Sequence, residues 1–322
     1  MLSSFGHPTL LGDIGATNAR FALVTDGVLG PVRSLEVAKF ARFADAVTHF
    51  LGGHPGQARV SHALLAIAGP VEGERCALTN CSWVIDAAEM RRTLSLEAKL
   101  VNDFEATAFS LPAVSPQDLV KIGGGRPLAG APMAVLGPGS GLGVACITQL
   151  GDGPVVISGE GGHVTLAGAS HREDAILGHL RNRFGHASAE RAISGPGLEN
   201  IYQAIAALDG KAIAARNAGE VTESAINGEC QTAREALETF CALLGSLAGN
   251  VALTFGARGG VYVAGGIAPR IVDFIAQSKF RQRFEAKGRL KTYVETIPSH
   301  VIMHPAAAFI GLKAMAQRAD SG

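Results

Sequence analysis

Asn102 and Asp103 close the apolar pair Leu100-Val101 and stand directly before Phe104-Glu105-Ala106-Thr107. Leu100 and Val101 read as the end of a short buried strand. Phe104, Ala106, Ala108, Phe109 and Leu111 open a helix at once. Ligands of open α/β sheets gather beyond the carboxyl ends of strands. There an Asp can take a proton from a hydroxyl, and an Asn can both donate to and accept from a neighbouring one. The same two residue types are also favoured helix caps, so on these residues alone a cap and a proton acceptor are both open.

Three more stretches have residue types suited to ligands. Gly12-Asp13-Ile14-Gly15-Ala16-Thr17 joins two strand-like runs with small residues, free backbone N–H groups and a hydroxyl. Such a turn can wrap phosphate oxygens, and Asp13 could hold magnesium, through water. The alternative is an ordinary Gly-rich hairpin with Asp13 as a turn residue. It is not a Walker A loop, because Gly-x-x-x-x-Gly-Lys is absent. Gly139-Ser140-Gly141-Leu142-Gly143 repeats the pattern between the apolar runs Met133–Pro138 and Val144–Ile147. Glu160 and His163 flank two glycines, which let backbone approach a ligand closely. Gly265-Gly266 ends an apolar strand and would let a flat base lie against backbone, or would simply turn the chain into a helix.

The elements that must position these residues follow from periodicity. Thr9 to Val24 reads as strand, turn, strand, with Ala19, Phe21 and Leu23 on one face. Phe40 to Leu51 reads as an amphipathic helix, Ala63 to Ala68 as a buried strand, and Asp86 to Leu94 as a short helix capped by Asp86, with Glu89 completing a capping box. Pro112 to Gly130 reads as loop-rich, with a domain boundary near Ala113. The second strand-turn-strand, Met133 to Ile147, suggests an internal duplication. Val155 to Ser158 reads as a strand. Helices are expected over His171–Phe184, from Ser194 or Gly195 to Leu208, and over Cys230–Phe255, with a weakly ordered stretch around Gly210–Gly219. Gly260 to Ala264 and Pro298 to Met303 read as strands, and Ala306 to Met315 as a closing helix.

The 322 residues suggest two domains, and 47% hydrophobic against 17% charged residues supplies ample core. A net charge of zero argues against a nucleic-acid partner. No apolar run reaches the length of a membrane span, and the N-terminus lacks a signal-peptide pattern. Five cysteines without a Cys-x-x-Cys read as reduced thiols of a cytoplasmic protein.

Taken in order and spacing, several motifs resemble the ATP-dependent bacterial glucokinase family. They are Gly12-Asp13-Ile14-Gly15-Ala16-Thr17-Asn18-Ala19-Arg20, Thr79-Asn80-Cys81-Ser82-Trp83, Asn102-Asp103-Phe104, Gly139-Ser140-Gly141-Leu142-Gly143-Val144-Ala145, Gly159-Glu160-Gly161-Gly162-His163, Glu190-Arg191 with Ser194-Gly195-Pro196-Gly197-Leu198, and Ala264-Gly265-Gly266-Ile267. The resemblance spans nearly the whole chain. It implies the hexokinase/actin-like α/β fold with a central ligand cleft, a small domain of residues 1–113 plus 305–322 and a large domain of residues 114–304.

By position, the resemblance makes Asp103 the general base for the sugar 6-hydroxyl. Asn80, Asn102, Glu160, His163 and Glu190 become sugar contacts. Gly12 to Thr17 and Gly139-Ser140-Gly141 become the phosphate loops, and Gly265-Gly266 the adenosine site. The implied substrates are D-glucose and ATP, the implied ion is Mg2+ at Asp13, and the implied assembly is a homodimer. Two positions depart from the family pattern: Ala16 stands where Gly is common, and Ser140 where Thr is usual. The added methyl of Ala16 requires a negative φ. Rival expectations are a kinase for another hexose, whose zinc-bearing family carries a Cys-x-Cys-Gly cluster not found here, and a sugar sensor without turnover, which would typically lack Asp103.

Overall fold

The computed structural model describes residues 8–53, 60–69, 71–78, 81–151 and 153–319. The chain divides into two compact units, residues 1–114 with 305–322, and residues 115–304.

In the first unit, β1 (Thr9–Ile14) pairs antiparallel with β2 (Asn18–Thr25), which also carries β3 (Val28–Leu29) and β4 (Arg33–Glu36). β1 pairs in parallel with β5 (His62–Ile67). A separate hairpin joins β6 (Arg75–Ala77) to β7 (Val84–Asp86), and β8 (Glu97–Asn102) completes the main sheet in parallel with β5. The sheet order is β3-β2-β1-β5-β8.

Successive side chains of a strand point to opposite faces, and both faces here are covered. Leu10, Ile14, Phe21, Leu65, Ile67 and Leu100 share one core with Phe43, Val47 and Phe50 of α1 (Phe43–Gly52) and with Trp83. Leu11, Leu64, Ala66 and Val101 share the other with Ala106, Phe309 and Leu312. Burial on both faces explains why β5 is an unbroken apolar run from Ala63 to Ile67. The helix over Phe40–Leu51 starts later than its periodicity predicts. Residues 37–39 form a 3-10 turn, and Phe40 stays extended with its carbonyl accepting from Trp83 Nε1 at 3.0 Å. α2 (Ala87–Leu94) begins where expected, with Asp86 accepting from the Glu89 N–H at 3.1 Å, but only this half of the expected capping box forms.

α3 (Asp103–Ser110) follows β8 without a loop and packs on the C-terminal helix, Ala307–Ala319. The contact is backbone to backbone. A Cβ at Gly311 would overlap the carbonyl oxygen of Ala106 and lie 3.0 Å from the Ser110 nitrogen.

The second unit is built on β9 (Leu119–Gly123), β10 (Met133–Pro138), β11 (Leu142–Leu150), β12 (Gly153–Gly159), β13 (Gly260–Val263) and β14 (Ser299–Ile302), in the order β12-β11-β10-β13-β14-β9. β10 is antiparallel to β11 and parallel to β13, and β13 is parallel to β14. The path β12-β11-β10-β13-β14 therefore repeats the order and directions of β3-β2-β1-β5-β8. β9 lies inside the stretch expected to be loop, as an antiparallel edge strand on β14.

Around this sheet lie α4 (His171–Phe184), α5 (Gly195–Leu208), α6 (Ala218–Ile226) and α7 (Gln231–Phe255). α6 opens within the stretch expected to be weakly ordered, behind a capping box made by Asn217 and Glu220. Contrary to the sequence expectation, α7 is long and apolar enough to cross a membrane by length and composition, but 72% of its most apolar window is buried within the protein. It packs against the short helix Phe280–Glu285 at Gly245 and Gly249, where a Cβ would run into the backbone of Phe280 and Phe284. All five cysteines are free thiols.

Candidate active site

In the first unit the parallel register places Ile14, Ile67 and Asn102 in one row, so β1, β5 and β8 end side by side. Three candidate segments leave the sheet there: the Gly12–Thr17 turn, the Ala68-Gly69 segment, and Asn102-Asp103. They are tied together. The Ala68 N–H donates to Ile14 O at 2.9 Å, and Asn102 Nδ2 donates to Gly69 O at 3.3 Å.

The ambiguity between cap and proton acceptor divides between the two residues. Asn102 is the N-cap of α3, with Oδ1 accepting from the N–H groups of Phe104 at 2.9 Å and Glu105 at 3.3 Å. Asp103 is the first helical residue, and its Oδ1 accepts from the Phe104 N–H at 3.0 Å. An acidic group in the first turn also suits the helix dipole. Asn102 thus spends its carbonyl oxygen on the helix and one amide hydrogen on Gly69, which leaves one hydrogen for a ligand. The Cys76 thiol lies nearby; burial first, then the charges of Asp103 and Glu72, push its pKa up. Gly69, whose carbonyl fixes the Asn102 amide, was not singled out by sequence; the Gly-Pro step after β5 was its only signal. Asn80, expected as a sugar contact, lies outside the described residues.

Asp13 is not a turn residue. It lies within β1, cross-strand from Arg20, with Arg20 Nε 3.6 Å from Asp13 Oδ2. Its side chain is 17% exposed, and burial, partly offset by Arg20, raises its pKa above the usual carboxylate value. Gly12 packs closely, and a Cβ there would lie 2.6 Å from Leu65 Cδ2, so that side chain would have to shift. The Gly15 N–H closes the turn on Asn18 O at 3.0 Å. Among the described non-glycine residues only Asp26 and Ser95 have positive φ, so Ala16 carries its methyl without strain. Thr17 stands exposed at the turn.

In the second unit β10, β13 and β14 are likewise in parallel register, with Leu136 beside Val263 and Val263 beside Val301. The Gly139-Ser140-Gly141 turn and the Gly265-Gly266 segment leave the sheet at this edge. Gly265 has φ +84°, and a Cβ there would be 2.5 Å from Pro138 O, so only glycine fits the close approach. The turn closes through Gly139 N–H to Gly141 O at 2.8 Å, with Ser140 exposed at its tip. Gly195, at the start of α5, donates its N–H to Gly139 O at 2.8 Å. From sequence, Ser194-Gly195-Pro196 reads as a helix start and as part of a family motif, with no ligand role of its own. Its place beside the turn depends on a contact across 56 residues that no local pattern carries.

Glu160 and His163 bracket a single 3-10 turn, with the His163 N–H on Glu160 O at 3.0 Å, and both side chains are exposed. Glu190 joins them through its backbone N–H, which donates to Gly162 O at 2.8 Å. Its carboxylate also reaches the turn region, where Oε2 accepts from the Leu142 N–H at 2.9 Å. The segment that carries Glu160 and His163 and the Gly139–Gly141 turn are therefore both fastened to Glu190. Among the described residues no group of three His, Cys, Asp or Glu side chains could hold a metal ion.

The glucokinase family model matches residues 10–319. The chain is 45% identical over 307 residues to a glucokinase of Paramagnetospirillum magneticum, covering 94% of this chain and 95% of that protein. It is 45% identical over 309 residues to one of Chromobacterium violaceum, covering 95% and 88%. Among solved structures, a glucokinase from an Antarctic psychrotroph matches with TM-score 0.86 and 34% identity over 97% of this chain and 99% of that one. A ROK family glucokinase from Streptomyces griseus, in complex with glucose and AMPPNP, shares the fold with TM-score 0.66 at 17% identity, covering 97% and 99%.

Proposed function

The chain belongs to the glucokinase family, and from that premise we infer that it transfers the γ-phosphoryl group of ATP to the 6-hydroxyl of D-glucose, giving glucose 6-phosphate and ADP. Its fold is that of the hexokinase/actin-like sugar kinases. The match over residues 10–319 carries the activity. The division of labour at the start of α3 supports the assignment of the base.

Phosphoryl transfer needs positioning and charge neutralisation more than covalent help. Asp103 takes the proton of the 6-hydroxyl as that oxygen attacks the γ-phosphorus, a contribution of about 10²–10⁴-fold. The capping role belongs to Asn102, so the helix does not require Asp103 as its cap. The remaining Asn102 hydrogen, Glu160, His163 and Glu190 hold sugar hydroxyls, and Asn80 is assigned with them. The Gly12–Thr17 turn and Gly139-Ser140-Gly141 hold phosphates through backbone N–H groups and the Thr17 and Ser140 hydroxyls. Gly265-Gly266 holds the adenosine.

A magnesium ion bound with the nucleotide would neutralise phosphate charge. Asp13 is a hard oxygen donor near the end of β1, 17% exposed and ion-paired with Arg20 at 3.6 Å, and would hold such an ion through water rather than directly. We also assign the enzyme to the cytoplasm as a homodimer, which light scattering on the eluted protein would test.

A coupled assay with ATP, magnesium and a hexose panel tests the reading. A site built to hydrogen-bond a given hydroxyl rejects analogues lacking it by up to about 10⁴–10⁵-fold. Glucose should therefore exceed N-acetylglucosamine and other sugars altered at the bound hydroxyls by orders of magnitude in kcat/KM. Equal values would contradict the sugar contacts.

A further inference from the structure

Three segments of the second unit are fastened around one carboxylate. Leu142, the residue after the Gly139-Ser140-Gly141 turn, donates its N–H to Glu190 Oε2 at 2.9 Å. The Glu190 N–H donates to Gly162 O at 2.8 Å, within the 3-10 turn that ends in His163. The Glu190 carbonyl accepts from Ser194 Oγ at 2.7 Å, and Ser194 caps α5, whose Gly195 N–H returns to Gly139 O at 2.8 Å. The turn is therefore held at its entry by Gly195 and at its exit by Glu190. The fit is close: a Cβ at Gly141 would lie 2.7 Å from Glu190 Oε2. Gly162 is equally constrained, because a Cβ there would overlap Leu142 O.

A carboxylate that accepts one backbone N–H keeps acceptor capacity on its second oxygen. We propose that Glu190 is a positioning residue shared by both substrates: Oε2 holds the phosphate turn in its binding conformation while Oε1 accepts from a glucose hydroxyl. The proposal rests on the glucokinase reading above and adds a role in nucleotide binding that a sugar contact alone would not have. With Oε2 in place the turn is ordered before the nucleotide arrives. Without it, binding must bear the cost of ordering the turn, and affinity falls.

The test uses full-length wild type, Glu190→Met and Glu190→Gln, with calorimetry for AMPPNP without glucose and for glucose without nucleotide. Methionine keeps the length and removes both acceptors. Glutamine keeps one carbonyl oxygen for the Leu142 N–H and replaces the other acceptor by a donor. A charge-assisted hydrogen bond is at stake, so Glu190→Met should weaken AMPPNP and glucose each by at least about tenfold. Glu190→Gln should weaken glucose by a similar factor and leave AMPPNP within about threefold of wild type. Backbone amide exchange over residues 139–143 should quicken in Glu190→Met and not in Glu190→Gln. Glu190→Asp keeps the charge but shortens the reach, and it carries the same AMPPNP expectation should the methionine variant fail to fold. Wild-type AMPPNP affinity in Glu190→Met or Glu190→Asp would overturn the proposal and reduce Glu190 to a sugar contact. AMPPNP binding is read without turnover, so a wild type that binds AMPPNP and does not phosphorylate glucose would sink the activity while leaving this dependence measurable.

Discussion

Gly311→Ala should destabilise the protein although alanine is the better helix former. Gly311 lies inside the helix Ala307–Ala319, where replacing glycine by alanine ordinarily gains about 0.5–1 kcal/mol. Here the new methyl would overlap Ala106 O and lie 2.8 Å from the Ala106 carbonyl carbon and 3.0 Å from the Ser110 nitrogen. All three are backbone atoms of α3, so no rotamer change relieves them. The helices must separate, and a gap of even about 0.5–1 Å forfeits a quarter to a half of each dispersion contact along the seam. Phe309 and Leu312 of the same helix are fully buried in a core that includes Ala106 of α3, so separation would also loosen that core. Overpacking of this kind costs about 1–3 kcal/mol, and backbone clashes belong at the upper end. After the propensity gain, we expect a net loss of about 2 kcal/mol and a fall in Tm of about 3 °C. α3 carries Asn102 as its cap and Asp103 in its first turn, so kcat should fall as well, since a displacement near 1 Å can cost about 10²-fold. Gly178→Ala is the matched control: that glycine is also inside a helix, α4, and a Cβ there meets nothing within 4 Å. It should stabilise by up to about 1 kcal/mol. Urea unfolding and steady-state kinetics on both variants decide the matter. A Gly311→Ala variant as stable as Gly178→Ala would refute the packing argument.

Two further outcomes follow from other parts of the fold. Gly265→Ala places a methyl at φ +84° and 2.5 Å from Pro138 O, so KM for ATP should rise by about tenfold or more while glucose binding holds; unchanged KM for ATP would remove Gly265 from the nucleotide site. Burial, then Arg283, push the Lys287 ammonium from 10.5 down to about 8. Between those values the unfolded chain holds the extra proton, so this group makes unfolding free energy rise from pH 8 to pH 10.5. Urea unfolding across that window should show a shallower rise in Lys287→Met than in wild type, and identical slopes would contradict the shifted titration.

The sequence carried local features well and long-range ones poorly. β1-turn-β2 and β10-turn-β11 were legible because strand alternation and glycine turns are written in consecutive residues. β8 running into α3 was legible for the same reason. β9 was not: Leu-Val-Lys-Ile-Gly is short, runs straight into further glycines and gains its structure only from pairing with β14, about 180 residues away. The late start of α1 depended on the Trp83 indole taking the Phe40 carbonyl. At the site, residue types marked Asn102 and Asp103, but which of them caps α3 was decided by backbone geometry that composition does not encode. Asp13 was read as a turn residue in one alternative, and its pairing with Arg20 follows from the two-strand register. The bond from Glu190 to Leu142 spans 48 residues and left no local trace.

The central claim is that Asp103 accepts the proton of the sugar hydroxyl, and Asp103→Asn tests it most directly. Asparagine keeps the size and can still accept from the Phe104 N–H, and Asn102 remains the cap, so the melting curve should match wild type. It cannot take a proton at neutral pH. Single-turnover phosphorylation should therefore slow by about 10²-fold or more, while glucose affinity by calorimetry changes far less. A folded Asp103→Asn variant that phosphorylates glucose at a near-normal rate would contradict the account.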